Sequence, residues 1–285
     1  MKRFYLGFFC LTLMNLLVFS QHEPQKEEQA IIQTALDYGD GFLSGDADRM
    51  QRAIHPDLNK ACPMVLPQTG KTFLIYSTYS ALIELSRAKV GLLEEAKRKI
   101  SVKVLKVNVD VACAKITTAQ FNDYLEMIKV EGQWKIVNVL WTFGADSPNR
   151  KPPPDFKGDE EKPMVEAAVR DVIEGIYTSD VPRLEKALHP EYRRATLITM
   201  PPTGKTMIQR DAAGSMIENT RAKIGAQDKE KWNIQVNVLD CMDGLALAEL
   251  ITPAGWNYCQ LAKIDGQWRI INILRKINPV AQQKK

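Results

Sequence analysis

Histidine is scarce in this chain, with three in 285 residues, and one of those, His22, stands close to the N-terminus. Cysteine is nearly as rare at five, and neither residue falls at the spacings that ligate zinc, which argues against a metal site of that kind. An excess of one charge is also missing. Lys and Arg number 38 against 34 Asp and Glu, and the resulting +4 is spread along the chain without a basic stripe. Counterion release, which drives nucleic-acid binding, then has no surface to come from, so nucleic acid is set aside as a partner. With 45% apolar and 25% charged residues, 16 Gly and 15 Pro, the composition excludes collagen-like, disordered and multi-span membrane classes.

What is present first is an N-terminal signal pattern. Lys2 and Arg3 precede an almost unbroken apolar run from Phe4 to Phe19, followed by Ser20 and polar Gln21. Compact residues at Val18 and Ser20 suit a signal peptidase, so residues 1–20 read as a secretory signal cleaved after Ser20. The protein is then expected to be secreted or periplasmic in a bacterium. An uncleaved anchor is the alternative, because the run approaches the shortest stretch that spans a bilayer. Cys10 lies inside the run and not after a lipobox, so lipid attachment is not expected.

The rest of the chain is a duplication. His55-Pro56 returns as His189-Pro190, Gly70-Lys71-Thr72 as Gly204-Lys205-Thr206, and Gly132-Gln133-Trp134 as Gly266-Gln267-Trp268, all at one offset. Sliding 27–143 onto 161–277 without a gap gives 36 identities in 117 positions, far above chance. The division is therefore a first domain at 21–143, a proline-rich linker at 144–160, a second domain at 161–278 and a polar tail at 279–285. No cysteine faces a cysteine in the other copy. Cys113 and Cys241 sit in apolar strand patterns and read as small hydrophobes, leaving Cys241 with Cys259 as the one disulfide to test.

Both copies must satisfy one backbone, which sharpens the secondary structure. Ile31, Ala35, Tyr38 and Phe42 mark one face of a first helix, matched by Val165, Val169, Val172 and Ile176. Asp46 and Asp180 are placed to cap a short second helix, which His-Pro ends because a residue before proline is driven from helical geometry. A Gly-Lys-Thr turn leads to a third helix that finishes in Arg87-Ala88-Lys89-Val90-Gly91 or Arg221-Ala222-Lys223-Ile224-Gly225, with cations in the last turn and glycine as the stop. Strands follow. Val102 and Val104 give way to Leu105 and Val107 on the opposite parity, as Val236 and Val238 give way to Leu239 and Cys241; a parity switch means one extra residue, hence a bulge and a bend. The fold class is α+β, with two tandem cone domains, each three helices packed on a strongly bent, mostly antiparallel sheet, and a pocket in each cone mouth.

A helix closing in Gly45-Asp46 or Ser179-Asp180, the His-Pro-Asp/Glu step, and the closing strands Glu131-Gly-Gln-Trp-Lys-Ile-Val-Asn-Val-Leu140 and Asp265-Gly-Gln-Trp-Arg-Ile-Ile-Asn-Ile-Leu274 resemble the NTF2-like superfamily. Within it they are most similar to putative lumazine-binding and SnoaL-like domains, related to ketosteroid isomerases. The resemblance implies the cone fold over both copies and a pairing of the two domains as an intramolecular pseudo-dimer. Isomerase members use a carboxylate base with an Asp and a Tyr as oxyanion donors. Here Tyr38 becomes Val172 and Asp110 becomes Gly244 in the second copy, so that trio is not kept in register.

The candidate ligand-binding residues are His55, Arg87, Tyr124, Asn138 and their partners His189, Arg221, Tyr258 and Asn272. A histidine could act as a base or simply satisfy the carbonyls of a helix end. Arg87 and Arg221 could clamp an anion, or pair with Glu84 and Glu218 on a solvated helix. The asparagines could line the cone or serve a bulge, while the tyrosines are expected at its rim. Trp134 and Trp268 read as core anchors. Gly70-Lys71-Thr72 is no phosphate loop, since Val65 and Thr199 stand where the first glycine is required. No catalytic residue, cofactor or metal is assigned. The expected function is an exported, non-catalytic small-molecule-binding or interaction protein; the alternatives are an isomerase, dehydratase or cyclase using His55 or His189 as base with Arg87 or Arg221 as clamp, and a pure assembly module with filled cones.

Overall fold

A computed structural model describes residues 6–153, 155–200 and 202–278, with side chains from Pro24 onward. Residues 1–5 of the expected export signal and the 279–285 tail lie outside the described residues. The first repeat runs α1 (Leu6–Ser44), α2 (Ala47–Ala53), β1 (Ile54–Leu66), β2 (Lys71–Ser77), α3 (Tyr79–Arg87), α4 (Glu95–Arg98), β3 (Ser101–Asn108), β4 (Val111–Thr117), β5 (Phe121–Val130) and β6 (Gln133–Phe143). The second runs α5 (Lys162–Thr178), α6 (Val181–Ala187), β7 (Leu188–Thr199), β8 (Thr206–Ala212), α7 (Ala213–Arg221), β9 (Gln235–Met242), β10 (Leu245–Thr252), β11 (Gly255–Ile264) and β12 (Gln267–Ile277). Each repeat forms a six-stranded sheet, ordered β2-β1-β6-β5-β4-β3 and β8-β7-β12-β11-β10-β9. Only the β1–β6 and β7–β12 pairings are parallel. No described helix is long and apolar enough to cross a membrane.

Local chemistry explains the element boundaries. Asp46 accepts hydrogen bonds from the N–H groups of Asp48 and Arg49, and Asp180 from that of Arg183, closing the open helix starts as the sequence implies. The parity switch is a bulge in both copies: β3 slips against β4 between Val104 and Lys106, and β9 against β10 between Val238 and Asp240. Two details differ from the sequence reading. The Gly-Lys-Thr turn does not enter the third helix directly but closes a hairpin, β1 to β2 and β7 to β8. As edge strands, β2 and β8 turn Leu74 and Ile208 toward the sister repeat while Phe73, Ile75 and Met207 stand in solvent, so apolar residues fall on both faces and the sequence shows little alternation to read. The third helix is turned off by Lys89 (φ +57°) and Lys223 (φ +59°) in the left-handed conformation. Gly91 serves packing, since a Cβ there would meet the Phe42 ring at 2.1 Å.

Three apolar clusters result. One lies between the first sheet and its helices, built on Ile31, Ala35, Met50, Ile116 and Met127; its counterpart holds Val165, Val169, Leu184, Leu250 and Leu261. The third joins the back faces of the two sheets, with Val111, Cys113, Tyr124 and Leu140 from one repeat and Leu245, Leu247, Tyr258 and Leu274 from the other. Because successive strand residues face opposite sides, β4 and β10 are buried on both faces, one toward a cone and one toward the sister repeat. Cys62, Cys113, Cys241 and Cys259 are all free thiols, so Cys241 and Cys259 are not bridged.

Candidate functional site

In the first cone, Tyr38 on α1, Lys60 on β1 and Asp123 on β5 meet within the helix-facing side of the sheet. The Tyr38 hydroxyl donates to Asp123 Oδ1 at 2.9 Å, Lys60 Nζ reaches the same oxygen at 3.0 Å, and Lys60 also contacts the Tyr38 hydroxyl. All three are buried. Lys60 Nζ lies 4.7 Å from the Trp141 ring centroid, a cation–π placement that lowers the cost of holding an ammonium away from water. Burial, and then the charge of Asp123, push the Tyr38 hydroxyl pKa well up. Phe121 packs edge-on against Phe42 and Trp141, with ring centroids 5.6 and 5.3 Å apart. The cavity left over measures about 170 Å³.

The second cone is wider, about 440 Å³. The equivalences are read at the 134-residue offset: Tyr38 becomes Val172, Phe42 becomes Ile176, Phe121 becomes Gly255 and Trp141 becomes Arg275. Losing three aromatic rings and a phenol enlarges the hollow. The charges change as well. Lys60 becomes Arg194, whose Nε and Nη2 bind Asp211 Oδ2 at 3.0 and 2.7 Å, while the position of Asp123 holds neutral Asn257. The Arg275 guanidinium makes no hydrogen bond or ion pair among the described residues, its backbone being held in the β12 ladders. Burial, and then the nearby charge of Arg194, lower its pKa. Tyr177, also in the lining and only 4% exposed, has a hydroxyl with no hydrogen-bond partner, although Thr252 and Gln227 are near it.

None of the eight sequence candidates lines either cone. His55 and His189 sit at the starts of β1 and β7, where each Nδ1 accepts the backbone N–H two residues on, from Asp57 and Glu191, both at 3.1 Å. They satisfy an amide at the strand start and not helix carbonyls, and burial lowers both pKa values. Arg87 and Arg221 are exposed and paired with Glu84 and Glu218, which is the solvated-helix alternative. Tyr124, Tyr258, Asn138 and Asn272 lie between the repeats, so the tyrosines are not rim residues. Tyr124 donates to Asp240 across that junction at 2.6 Å, while the Tyr258 hydroxyl has no partner. Asn138 donates to Glu126 at 2.6 Å beside the bulge in β6, and Asn272 to Gln260 at 2.8 Å beside that in β12. Asn59 donates to Asn272 at 2.7 Å, and Arg210 to Asn138 at 2.8 Å, tying the two repeats together.

The cone residues escaped sequence reading because they are the positions at which the copies disagree. A search by shared residues finds the frame, and the frame here is turns, caps and the junction. The only available signal was a charged or polar residue in an otherwise apolar strand, as at Lys60, Asp123 and Arg275.

The architecture is that of two α+β domains in tandem, each with helices against one face of a six-stranded sheet. The family profile described as "Putative lumazine-binding" matches twice, over 26–142 and 160–274, and the chain belongs to that family. Similar solved structures include an NTF-2 like protein of unknown function from Silicibacter pomeroyi, at 17% identity and TM-score 0.36, covering 42% of this chain and 98% of the other. An NTF2-like protein with a cystatin-like fold from Novosphingobium aromaticivorans aligns at 15% identity and TM-score 0.33, covering 46% and 90%. A ketosteroid isomerase-like protein from Erwinia carotovora atroseptica aligns at 13% and 0.31, covering 42% and 97%. No curated protein matches the chain.

Proposed function

We propose that this is an exported, non-catalytic small-molecule-binding protein whose ligand sits in a cone. The observation that carries the reading is the division between what the copies share and what they do not. Caps, turns and closing strands are held in common, whereas the linings differ at Tyr38/Val172, Phe42/Ile176, Lys60/Arg194, Asp123/Asn257 and Trp141/Arg275. A scaffold kept twice around two different interiors is what separate binding tasks require. The second cone, at about 440 Å³ with walls that mix aliphatic and polar side chains, suits a ligand of modest size. Export is supported by the basic, apolar and polar succession of residues 1–21.

The isomerase-type alternative loses its residues, since His55, His189, Arg87 and Arg221 line neither cone; His189 and Arg87 border only open surface hollows outside them. In the first cone the titratable groups Tyr38, Lys60 and Asp123 bind one another, which favours a structural polar cluster over a free base. The assembly alternative, with filled cones, suits the first repeat better than the second. The packing of the back faces supports a pseudo-dimer within one chain. The test is a thermal-shift screen of the purified protein against small carboxylates, sterols and pterins, because a ligand of the native state raises the melting temperature. A screen in which no compound moves the transition, for the full chain or for a Phe121→Ala variant with an opened first cone, overturns binding in favour of assembly.

A further inference from the structure

Resting on the reading of the cones as binding sites, we propose that the second cone takes a small organic acid, a carboxylate on an apolar body, and that Arg275 holds the carboxylate. In the first cone the charges cancel, Lys60 against Asp123. In the second, Asp211 is paired with Arg194 and acts on Arg275 only from a distance, so two guanidinium groups share one carboxylate and Arg275 has no ion-pair partner among the described residues. The lining therefore carries one uncompensated guanidinium in a hollow of about 440 Å³. A half-buried cation without a partner is costly, and a native chain that keeps one has a use for it. The guanidinium fork matches the two oxygens of a carboxylate.

Two further features fit the same ligand. The Tyr177 hydroxyl, buried in the same lining, has Thr252 and Gln227 near it but no well-aligned hydrogen bond to either, which leaves its proton free to turn toward a ligand. Val172, Ile176, Leu250 and Ile273 form an aliphatic side of the wall, beside polar Asn219, Gln227 and Asn257, and that aliphatic side suits an apolar body attached to the carboxylate. Arg194, locked to Asp211 by two of its nitrogens, cannot turn to serve the ligand without breaking that pair, but its charge adds to the positive potential in the cone.

The test is isothermal titration calorimetry on the full chain with octanoate and benzoate, each set against its uncharged counterpart, octanol and benzyl alcohol. The acids are expected to bind at least about ten-fold more tightly than the alcohols, as loss of a charged hydrogen bond implies. Arg275→Met is expected to weaken the acids by about the same factor without lowering the melting temperature of the unliganded protein, because it removes a cation that lacks a partner. Arg275→Lys, which keeps the charge and loses the fork, is expected to fall between. Arg221→Met, an equal charge change on the exposed end of α7, is expected to bind as the parent does. Alcohols that bind as tightly as their acids, or an Arg275→Met protein that binds acids unchanged, overturn the carboxylate assignment and leave cone binding standing. Absence of binding by all four compounds overturns the carboxylate assignment as well; if the broader thermal-shift screen is also silent, cone binding falls with it.

Discussion

Glu126 and Gln260 occupy the same position in the two repeats, both wholly buried, and each accepts a hydrogen bond from the asparagine of its own closing strand. Their second functions differ. The Gln260 amide donates to the Tyr124 carbonyl of the sister repeat at 2.9 Å, whereas Glu126 Oε1 has no partner. A carboxylate has no proton to donate unless it is protonated, and burial pushes the Glu126 pKa up to about 8, against the weaker opposing pull of Asn138, Arg210 and the nearby Leu274 backbone N–H.

The sign of the pH effect follows. Unfolded, this glutamate ionises near its ordinary value of about 4.3; folded, it keeps its proton to higher pH. Stability should therefore fall as pH rises from about 4.5 toward 8, by up to about 1.4 kcal/mol per pH unit, and level off above. Glu126→Gln, which always has an N–H to donate, should remove that slope and be the more stable protein at pH 8. Urea unfolding of both proteins at pH 5 and pH 8 checks this; parallel pH profiles would sink it.

A second prediction contrasts two copies of one motif. Glu161 accepts from Lys263 at 3.0 Å, from the Trp268 indole at 2.8 Å and from the Lys157 amide at 2.8 Å, and is 1% exposed. Glu27 accepts from Lys129 and Trp134 with about a third of its side chain in solvent. Burial would raise the Glu161 pKa, but the three donors outweigh it and bring it below the ordinary range. Its contribution is thus present at neutral pH and lost on acidification. Glu161→Ala should cost about 3 kcal/mol, and Glu27→Ala about 1 kcal/mol or less. Denaturant midpoints at pH 7 decide between this and equal effects.

The polar cluster of the first cone should behave as a unit. Asp123→Asn leaves the Lys60 ammonium buried without its countercharge and should destabilise by about 3 kcal/mol. Lys60→Met with Asp123→Leu removes both charges and should recover much of that loss. If the double variant is as unstable as the two single changes added together, the ion pair is not the reason for the first effect.

Gly255 offers a test of close backbone packing at the start of β11. It has φ +146°, and a Cβ there would meet the Lys276 carbonyl oxygen at 2.1 Å. Gly255→Ala should cost at least about 3 kcal/mol, whereas Ala at exposed Gly204, which has positive φ but nothing within 4 Å, should cost about 1 kcal/mol. Thermal melts of the two variants check the order.

The frame was legible because duplication supplies a second reading of each element. Asp46 with Asp180, and the parity switch at Leu105 with Leu239, were each stated twice and took the expected shapes. The edge strands β2 and β8 were not, since apolar Phe73, Ile75 and Met207 stand exposed on the face opposite Leu74 and Ile208 and blur the alternation. The site was not legible for a different reason. Residues retained in both copies, such as Asn138/Asn272 and Tyr124/Tyr258, hold the repeats together, and retention reports on that shared task. What lines a hollow depends on what enters it, and at Trp141/Arg275 the copies have parted.

The fused back faces carry a consequence for how this molecule could change. When identical subunits meet about a two-fold axis, any alteration arrives on both sides of the contact at once. Doubling Glu126 would set two carboxylic acids where one acid now sits with one amide. A single polypeptide escapes that mirror, so one chamber could lose an indole and gain a cation while the other kept its aromatic plug, and the wall between them could remain sound throughout.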